Sequence, residues 1–269
     1  MSFDRFFGAP HTAVNRCSYQ IRKLAMRDGY QNCDGVDARE VQRLNDLRAA
    51  EAKAFELFSI VEERELIRCG RTERQIEKDI LAIAQDDLGV DQHWHKRIVR
   101  AGLNTLSVFA DNPPVLTVER DDVVFLGLGP VFDSWEADVG KTYVIGKNTS
   151  KINLVKELSR QFDLVEDVLV NNPDIAGAEL YKFACHSASE AGYKFGGNIA
   201  GHIVAEFPHA RLPGERQNHH ISLANPSPLS DRDPNGDKRY WIIEIHLVSR
   251  DGGFGGFYER LADKANSIL

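Results

Sequence analysis

The strongest strand pattern in the chain is Trp241-Ile-Ile-Glu-Ile-His-Leu-Val248, an apolar run that contains one acid and one histidine. Alternation along a strand places the apolar residues at odd positions on one face of a sheet, and Glu244 and His246 on the other. A carboxylate at such a position either contacts water, or is buried and needs a metal or another cation to offset its lost hydration. The run therefore predicts a central strand whose polar face contacts water or carries chemistry.

Two predicted helices and a group of short strands make up the first half of the chain. The first helix is predicted from Asp37 to a stop near Gly70, because apolar residues recur there at three- and four-residue steps. The second follows the capping box formed by Thr72 and Gln75, and Gly89 ends it. The β-rich runs that come next are residues 115–118, 123–126 and 142–145.

The same order of elements recurs in the second half. A third helix has well-spaced apolar residues between Val155 and Leu169 and ends before Pro173, and a fourth helix ends at Gly192. The strand-like runs that follow are residues 193–195, 241–248 and 257–261. The repeated helix-helix-sheet order predicts an α+β fold in which both sets of strands join one sheet.

This repetition predicts one domain over residues 37–269, preceded by an irregular N-terminal extension over residues 1–36. Neither half has enough apolar material to look self-sufficient, so a single shared core is favoured over two domains. The polar, proline-rich segment 208–237 is too long for an ordinary connection within a domain. We expect it to form the rim of a functional site.

The composition is that of an acidic globular protein, with 33 Lys and Arg against 40 Asp and Glu and a net charge of −7. It contains no basic cluster, which argues against binding to nucleic acid. Its apolar runs are only as long as strands, and its N-terminus lacks the apolar stretch of a signal peptide. The four cysteines have no CxxC spacing, which is typical of reduced thiols. We therefore expect a cytoplasmic protein that binds neither membrane nor nucleic acid.

Four polar residues occupy strand positions that are usually apolar: Asp138, His202, Glu244 and Glu259. Three carboxylates and one imidazole on neighbouring strands would form a hard site with mixed oxygen and nitrogen ligands. Such a site suits a divalent Mn, Fe, Co or Zn ion.

This arrangement resembles the pita-bread metallopeptidases of family M24, which include methionine aminopeptidase, prolidase, aminopeptidase P and creatinase. The stretch Asp138-Val-Gly-Lys-Thr142 resembles the context of the family's second metal aspartate. His202 resembles its metal histidine, and Glu244 and Glu259 resemble its two closing glutamates. The resemblance covers about residues 37–261 and implies a pita-bread fold, with pseudo-duplicated helix-helix-sheet halves around a curved antiparallel sheet. It also implies that these four side chains bind metal.

The resemblance assigns a different role to His209, which follows His202 by the seven residues that separate the family's metal and catalytic histidines. It implies that His209 donates a proton or a hydrogen bond to the substrate without binding the metal. Two positions depart from the family pattern. Gly127 stands where the first metal aspartate is expected, and Phe109 where a substrate-facing histidine is expected. Without the carboxylate at position 127, we expect a mononuclear site with one ion in each chain.

Four further histidines lie outside this pattern. His93 and His95, in the sequence His-Trp-His, are out of register with the family and are interpreted as exposed or packed on a strand. His219 and His220 are interpreted as loop residues.

Three hypotheses about function follow from these residues. The first is a metal-dependent hydrolase that cleaves an amide-type C–N bond in a small polar or short peptide-like substrate. The second keeps the metal for a lyase or redox reaction, and the third is a non-catalytic relative that retains the fold as a binding module. Metal analysis separates the third from the others, and substrate screening separates the first two. A homodimer is compatible with the resemblance.

Overall fold

The computed structural model describes residues 33–269, so most of the predicted extension over residues 1–36 lies outside the described residues. The chain divides into two units, Met1–Gln42 and Arg43–Leu269. Of the first unit, the structure describes only residues 33–42, which are helical. The boundary at residue 37 stays a prediction.

The first helix, α1, spans Cys33–Glu63 and ends before the predicted stop near Gly70. Its end is a turn in which Leu66 N donates to Val61 O and Glu65 N donates to Glu62 O, with Glu65 at φ 49°. This is the Schellman arrangement, which usually has glycine at the left-handed position. The prediction was wrong because a glutamate occupies that position, so the sequence carries no stop signal there.

The second helix, α2, spans Glu73–Asp86 and has the predicted capping box. Gln75 N donates to Thr72 Oγ1 at 3.2 Å, and Thr72 N donates to Gln75 Oε1 at 2.9 Å. Ile76, Ile80, Ile83 and Ala84 of this helix are buried in a core that it shares with the first helix and the first strands.

The strands of the first half are β1 (Ile98–Ala101), β2 (Val123–Leu128), β3 (Val131–Phe132), β4 (Trp135–Glu136) and β5 (Val139–Val144). The prediction of a strand at residues 115–118 was wrong. There, the N–H of Leu116 donates to the buried carboxylate of Glu73, and the N–H of Val118 donates to Arg71 O. These two N–H groups therefore donate to the first residue of α2 and to the segment before it, and not to a neighbouring strand.

The second half contains the predicted helices and strands: α3 (Thr149–Asn171), α4 (Gly177–Glu190), β6 (Tyr193–Phe195), β7 (Gly201–Val204), β8 (Tyr240–Ser249) and β9 (Gly255–Leu261). A short helix that the sequence did not predict, α5 (Asp263–Asn266), follows β9. Pro173 follows the end of α3, as expected for a residue that cannot continue a helix. Gly192 follows α4 with φ 92°, a conformation that favours glycine.

A single sheet joins the two halves. Its strand order is β1-β2-β5-β9-β8-β6, with β7 also paired to β8, and every pair is antiparallel. The two halves meet where Gly140 of β5 pairs with Glu259 of β9. The odd-numbered apolar residues of β8 lie in the core with α3 and α4, as the alternation predicts. The opposite face of β8 carries Glu244 and His246.

None of the helices within residues 33–269 is both long enough and apolar enough to cross a membrane.

Candidate metal centre

The four predicted ligands come from four different parts of the sheet and meet on one of its faces. Asp138 precedes β5, His202 lies on β7, and Glu244 and Glu259 are directly paired residues of the hairpin formed by β8 and β9. The tight connection between these strands permits the short spacing of the two glutamates. Asp138, His202 and Glu259 are buried, and one ligand atom of each lies within 4.8 Å of the others.

The contacts between these residues are direct. His202 Nε2 lies 2.9 Å from Asp138 Oδ2 and 3.7 Å from Glu259 Oε1. Glu244 Oε1 is buried and has no hydrogen-bond partner among the described residues. Burying a carboxylate oxygen without a hydrogen-bond donor costs free energy. A cation bound at Glu244 Oε1 would offset that cost.

His95 also lies in this centre, so its interpretation as an exposed or strand-packed histidine was wrong. Its side chain is only 8% exposed, and its Nε2 lies 3.2 Å from Asp138 Oδ1. The carboxylate of Asp138 thus contacts one imidazole through each of its oxygens.

Burial and charge shift the pKa values of this centre in opposite directions. Burial acts to raise the pKa of Asp138, but the nearby His95 and His202 outweigh it and hold that pKa well below its usual range. Burial and the Asp138 charge raise the pKa of Glu259 well above its usual value, and burial raises that of Glu244 to about 7. Burial acts to lower the pKa of His202, but its carboxylate neighbours raise it well above the usual value. Three carboxylates in one buried site favour a bound cation.

The donor set fits a divalent metal. It offers carboxylate oxygens and imidazole nitrogens, which suit first-row transition metals. It also includes Glu244 Oε1, which has no hydrogen-bond partner within residues 33–269. Asp138, His202, Glu244 and Glu259 are therefore the residues that could hold an ion.

His209 lies beside the centre at the start of a 3₁₀ helix, His209–Arg211. The carboxylate of Glu136 accepts hydrogen bonds from the His209 backbone N at 2.9 Å and from its Nδ1 at 2.6 Å. These two hydrogen bonds fix the orientation of the ring and place its proton on Nδ1. In the neutral ring, Nε2 therefore carries the lone pair. The rings of His209 and His202 stack with centroids 5.9 Å apart.

The indole ring of Trp94 contacts three histidines of the site. Its ring lies edge-on to His95, His202 and His209, at centroid distances of 4.3, 5.4 and 4.8 Å. Its Nε1 donates to Ala137 O at 3.0 Å, directly before Asp138. The tryptophan thus forms one wall of the site.

A cavity of about 330 Å³ opens onto these residues. Its lining includes the polar residues of the centre together with His209 and His220. The lining also includes six apolar residues: Ile98, Val108, Phe109, Phe125, Ile199 and Phe257.

Both positions that depart from the family pattern line this cavity. Gly127 borders it, and a β-carbon added there would lie 3.5 Å from Ile98 Cβ and 3.7 Å from Phe257 Cε1. Phe109 lies with its ring centroid 5.6 Å from that of His95. The place of one expected ligand is thus bordered by apolar side chains.

Sequence reasoning overlooked three residues of this site: His95, Trp94 and Glu136. Glu136 stands two residues before Asp138, and a second acid so close to a predicted ligand is a signal that could have been followed. His220 also lines the cavity, and its backbone bridges that of His202, so it is a loop residue placed at the site.

The chain belongs to metallopeptidase family M24, which it matches over residues 45–225. It is similar to a protein from Lactobacillus helveticus described as an Xaa-Pro dipeptidase, with 28% identity over 152 residues. That match covers 56% of this chain and 40% of the relative. The matched stretch thus spans less than half the length of that relative.

Solved structures share the fold of this chain. Prolidase from Thermococcus sibiricus has a TM-score of 0.60 at 21% identity, covering 81% of this chain and 55% of that protein. Methionine aminopeptidase from Thermotoga maritima has a TM-score of 0.57 at 15% identity, covering 82% of this chain and 92% of that protein. This likeness confirms the predicted pita-bread fold.

Proposed function

We propose that this protein is a metal-dependent hydrolase that cleaves an amide-type C–N bond in a small, peptide-like substrate. The observation that carries the proposal is the convergence of Asp138, His202 and Glu259 beside the unpartnered oxygen of Glu244, at the wall of a cavity. Membership of the metallopeptidase family and the likeness to Xaa-Pro dipeptidases support the same reaction class.

The site would hold one divalent ion, Mn, Fe, Co or Zn, through Asp138, His202, Glu244 and Glu259. When bound, such an ion polarises a carbonyl group and acidifies water at neutral pH. Gly127 supplies no carboxylate for a second ion, and the cavity beside it is bordered by Ile98 and Phe257. We therefore propose a mononuclear site.

His209 is the proposed catalytic residue. Its Nδ1 donates to Glu136, so its Nε2 can accept a proton and, once the ring is doubly protonated, donate that proton or a hydrogen bond to the substrate. Glu136 also stabilises the positive charge that the ring carries when it is protonated. His209 and Glu136 thus form a pair that holds a proton next to the metal centre.

The cavity suggests which substrates to test first. A peptide-like molecule would place its amide at the metal centre and an apolar side chain against apolar lining residues such as Phe125 and Phe257. Because relatives of this chain are described as Xaa-Pro dipeptidases, Xaa-Pro dipeptides with an apolar first residue are the first probes. A cytoplasmic location and a homodimer remain predictions from the sequence.

The test combines metal analysis with a hydrolysis screen. The protein loaded separately with each of the four metals is incubated with a panel of dipeptides and small amides, and the released amines are quantified. We expect metal-dependent hydrolysis that is lost in Glu244→Ala. Bound metal without hydrolysis of any amide would favour the lyase or redox hypothesis, and a protein that binds no metal would favour the binding module.

A further inference from the structure

His95 and His202 are held in the same way against one carboxylate. His95 Nδ1 lies 2.6 Å from Lys96 O, and His202 Nδ1 lies 2.8 Å from Ile203 O, the carbonyl of the following residue in both cases. A carbonyl oxygen can only accept, so Nδ1 carries the proton in both rings. The Nε2 atoms face Asp138 Oδ1 and Oδ2 at 3.2 and 2.9 Å.

This arrangement is typical of imidazoles that bind a metal. Metal-binding histidines usually donate the other ring N–H to a carbonyl or a carboxylate, which fixes the tautomer and aims the free nitrogen at the ion. Without an ion, a neutral Nε2 would direct its lone pair at a carboxylate oxygen, which is repulsive. A cation among these atoms would remove this repulsion.

The His95 ring packs closely against the backbone at Gly129. A β-carbon on Gly129 would lie 2.2 Å from His95 Cδ2 and 2.4 Å from its Nε2, so only glycine leaves room for the ring there. The segment that carries His95 is fixed along the end of β2, because Trp94 N donates to Gly129 O and Val131 N donates to Gln92 O. Glycine and backbone pairing together bring His95 to Asp138.

His93 provides a contrast within the same segment. It lies two residues before His95, but both of its ring nitrogens are buried without a hydrogen-bond partner among the described residues. It does not line the cavity. Of these two histidines, only His95 reaches the acidic centre.

We propose that His95 is a direct ligand of the ion held by Asp138, His202, Glu244 and Glu259, so that two imidazoles bind one metal. This inference rests on the proposed function, since it requires the site to bind a metal. His95 would add a neutral nitrogen ligand in a centre where Gly127 supplies no carboxylate. A second nitrogen favours metals that bind imidazole well, so Fe and Zn should bind more tightly than Mn.

The first test counts imidazoles directly in the wild-type protein. X-ray absorption at the zinc edge of the Zn-loaded chain should require two imidazole ligands to fit the multiple-scattering signal, and His95→Gln should require one. A best fit with one imidazole in the wild-type protein would overturn the inference while leaving the metal site intact.

The second test measures affinity by competition with a chromophoric chelator. His95→Ala and His95→Gln should both weaken zinc binding at least about tenfold, because changes in the shells around a metal usually cost that much. His93→Gln is the matched control and should keep wild-type affinity. Unchanged affinity in both His95 variants would contradict the inference, whereas a wild-type protein without bound metal would contradict the proposed function itself.

Discussion

Gly129→Ala should displace His95 from the metal centre. The new β-carbon would lie 2.2 Å from His95 Cδ2, whereas carbon atoms normally approach to about 3.5 Å, so the ring must move by about 1.3 Å. A shift of that size breaks the 3.2 Å contact between His95 and Asp138. We expect zinc affinity to fall at least about tenfold, and the free energy of unfolding to fall by about 1–3 kcal/mol, as for other overpacked cores.

Gly127→Ala is the matched control, because it adds the same methyl group two residues away, on the strand β2 that ends just before Gly129. Its β-carbon would make only ordinary contacts, at 3.5 and 3.7 Å. Chelator competition measures the affinity of both variants, and urea denaturation measures their stability. If Gly129→Ala binds zinc as tightly as Gly127→Ala, then the position of His95 does not matter to the metal and the reasoning fails.

Three further changes test other parts of the structure. His209→Ala should keep the wild-type metal content but lower turnover by roughly two orders of magnitude; loss of metal would make His209 a ligand. Glu73→Ala should lower the free energy of unfolding by about 3 kcal/mol or more, because its buried carboxylate accepts from Ala101 N, Leu116 N and the Asn104 side chain; urea denaturation showing a loss below about 1 kcal/mol would contradict this. In the metal-free protein, Glu244 binds its proton more tightly when folded, since its pKa rises from 4.5 to about 7. Its contribution to stability should therefore decrease as pH rises from 4.5 to 7, by about 3 kcal/mol. Urea denaturation with a chelator present should show a correspondingly smaller decrease in Glu244→Gln, and equal decreases would refute the shift.

The elements that the sequence predicted well are those specified by local patterns. The capping box at Thr72 and Gln75, and the alternation in β8, depend on neighbouring residues alone. Such features need no knowledge of the rest of the fold.

Two of the three features that the sequence missed depend on contacts between distant residues. His95 meets Asp138 across 43 residues of sequence, and the family pattern contains no histidine at that position. The end of α1 depends on Glu65 adopting a left-handed φ of 49°, which its residue type does not favour. The segment 115–118 has the composition of a strand, but the carboxylate of Glu73 takes one of the donors that a strand would use. At His95 and in the segment 115–118, a contact between distant residues thus overrides the local preference.

The most direct test of the account is a crystal structure of the metal-loaded chain, with anomalous diffraction data collected at the absorption edge of the metal. We expect one anomalous peak in each chain, within bonding distance of Asp138, His202, Glu244 and Glu259. Two peaks at this site would show that Gly127 does not abolish the second ion. A peak elsewhere, or no peak after loading, would contradict the assignment of this centre as the metal site.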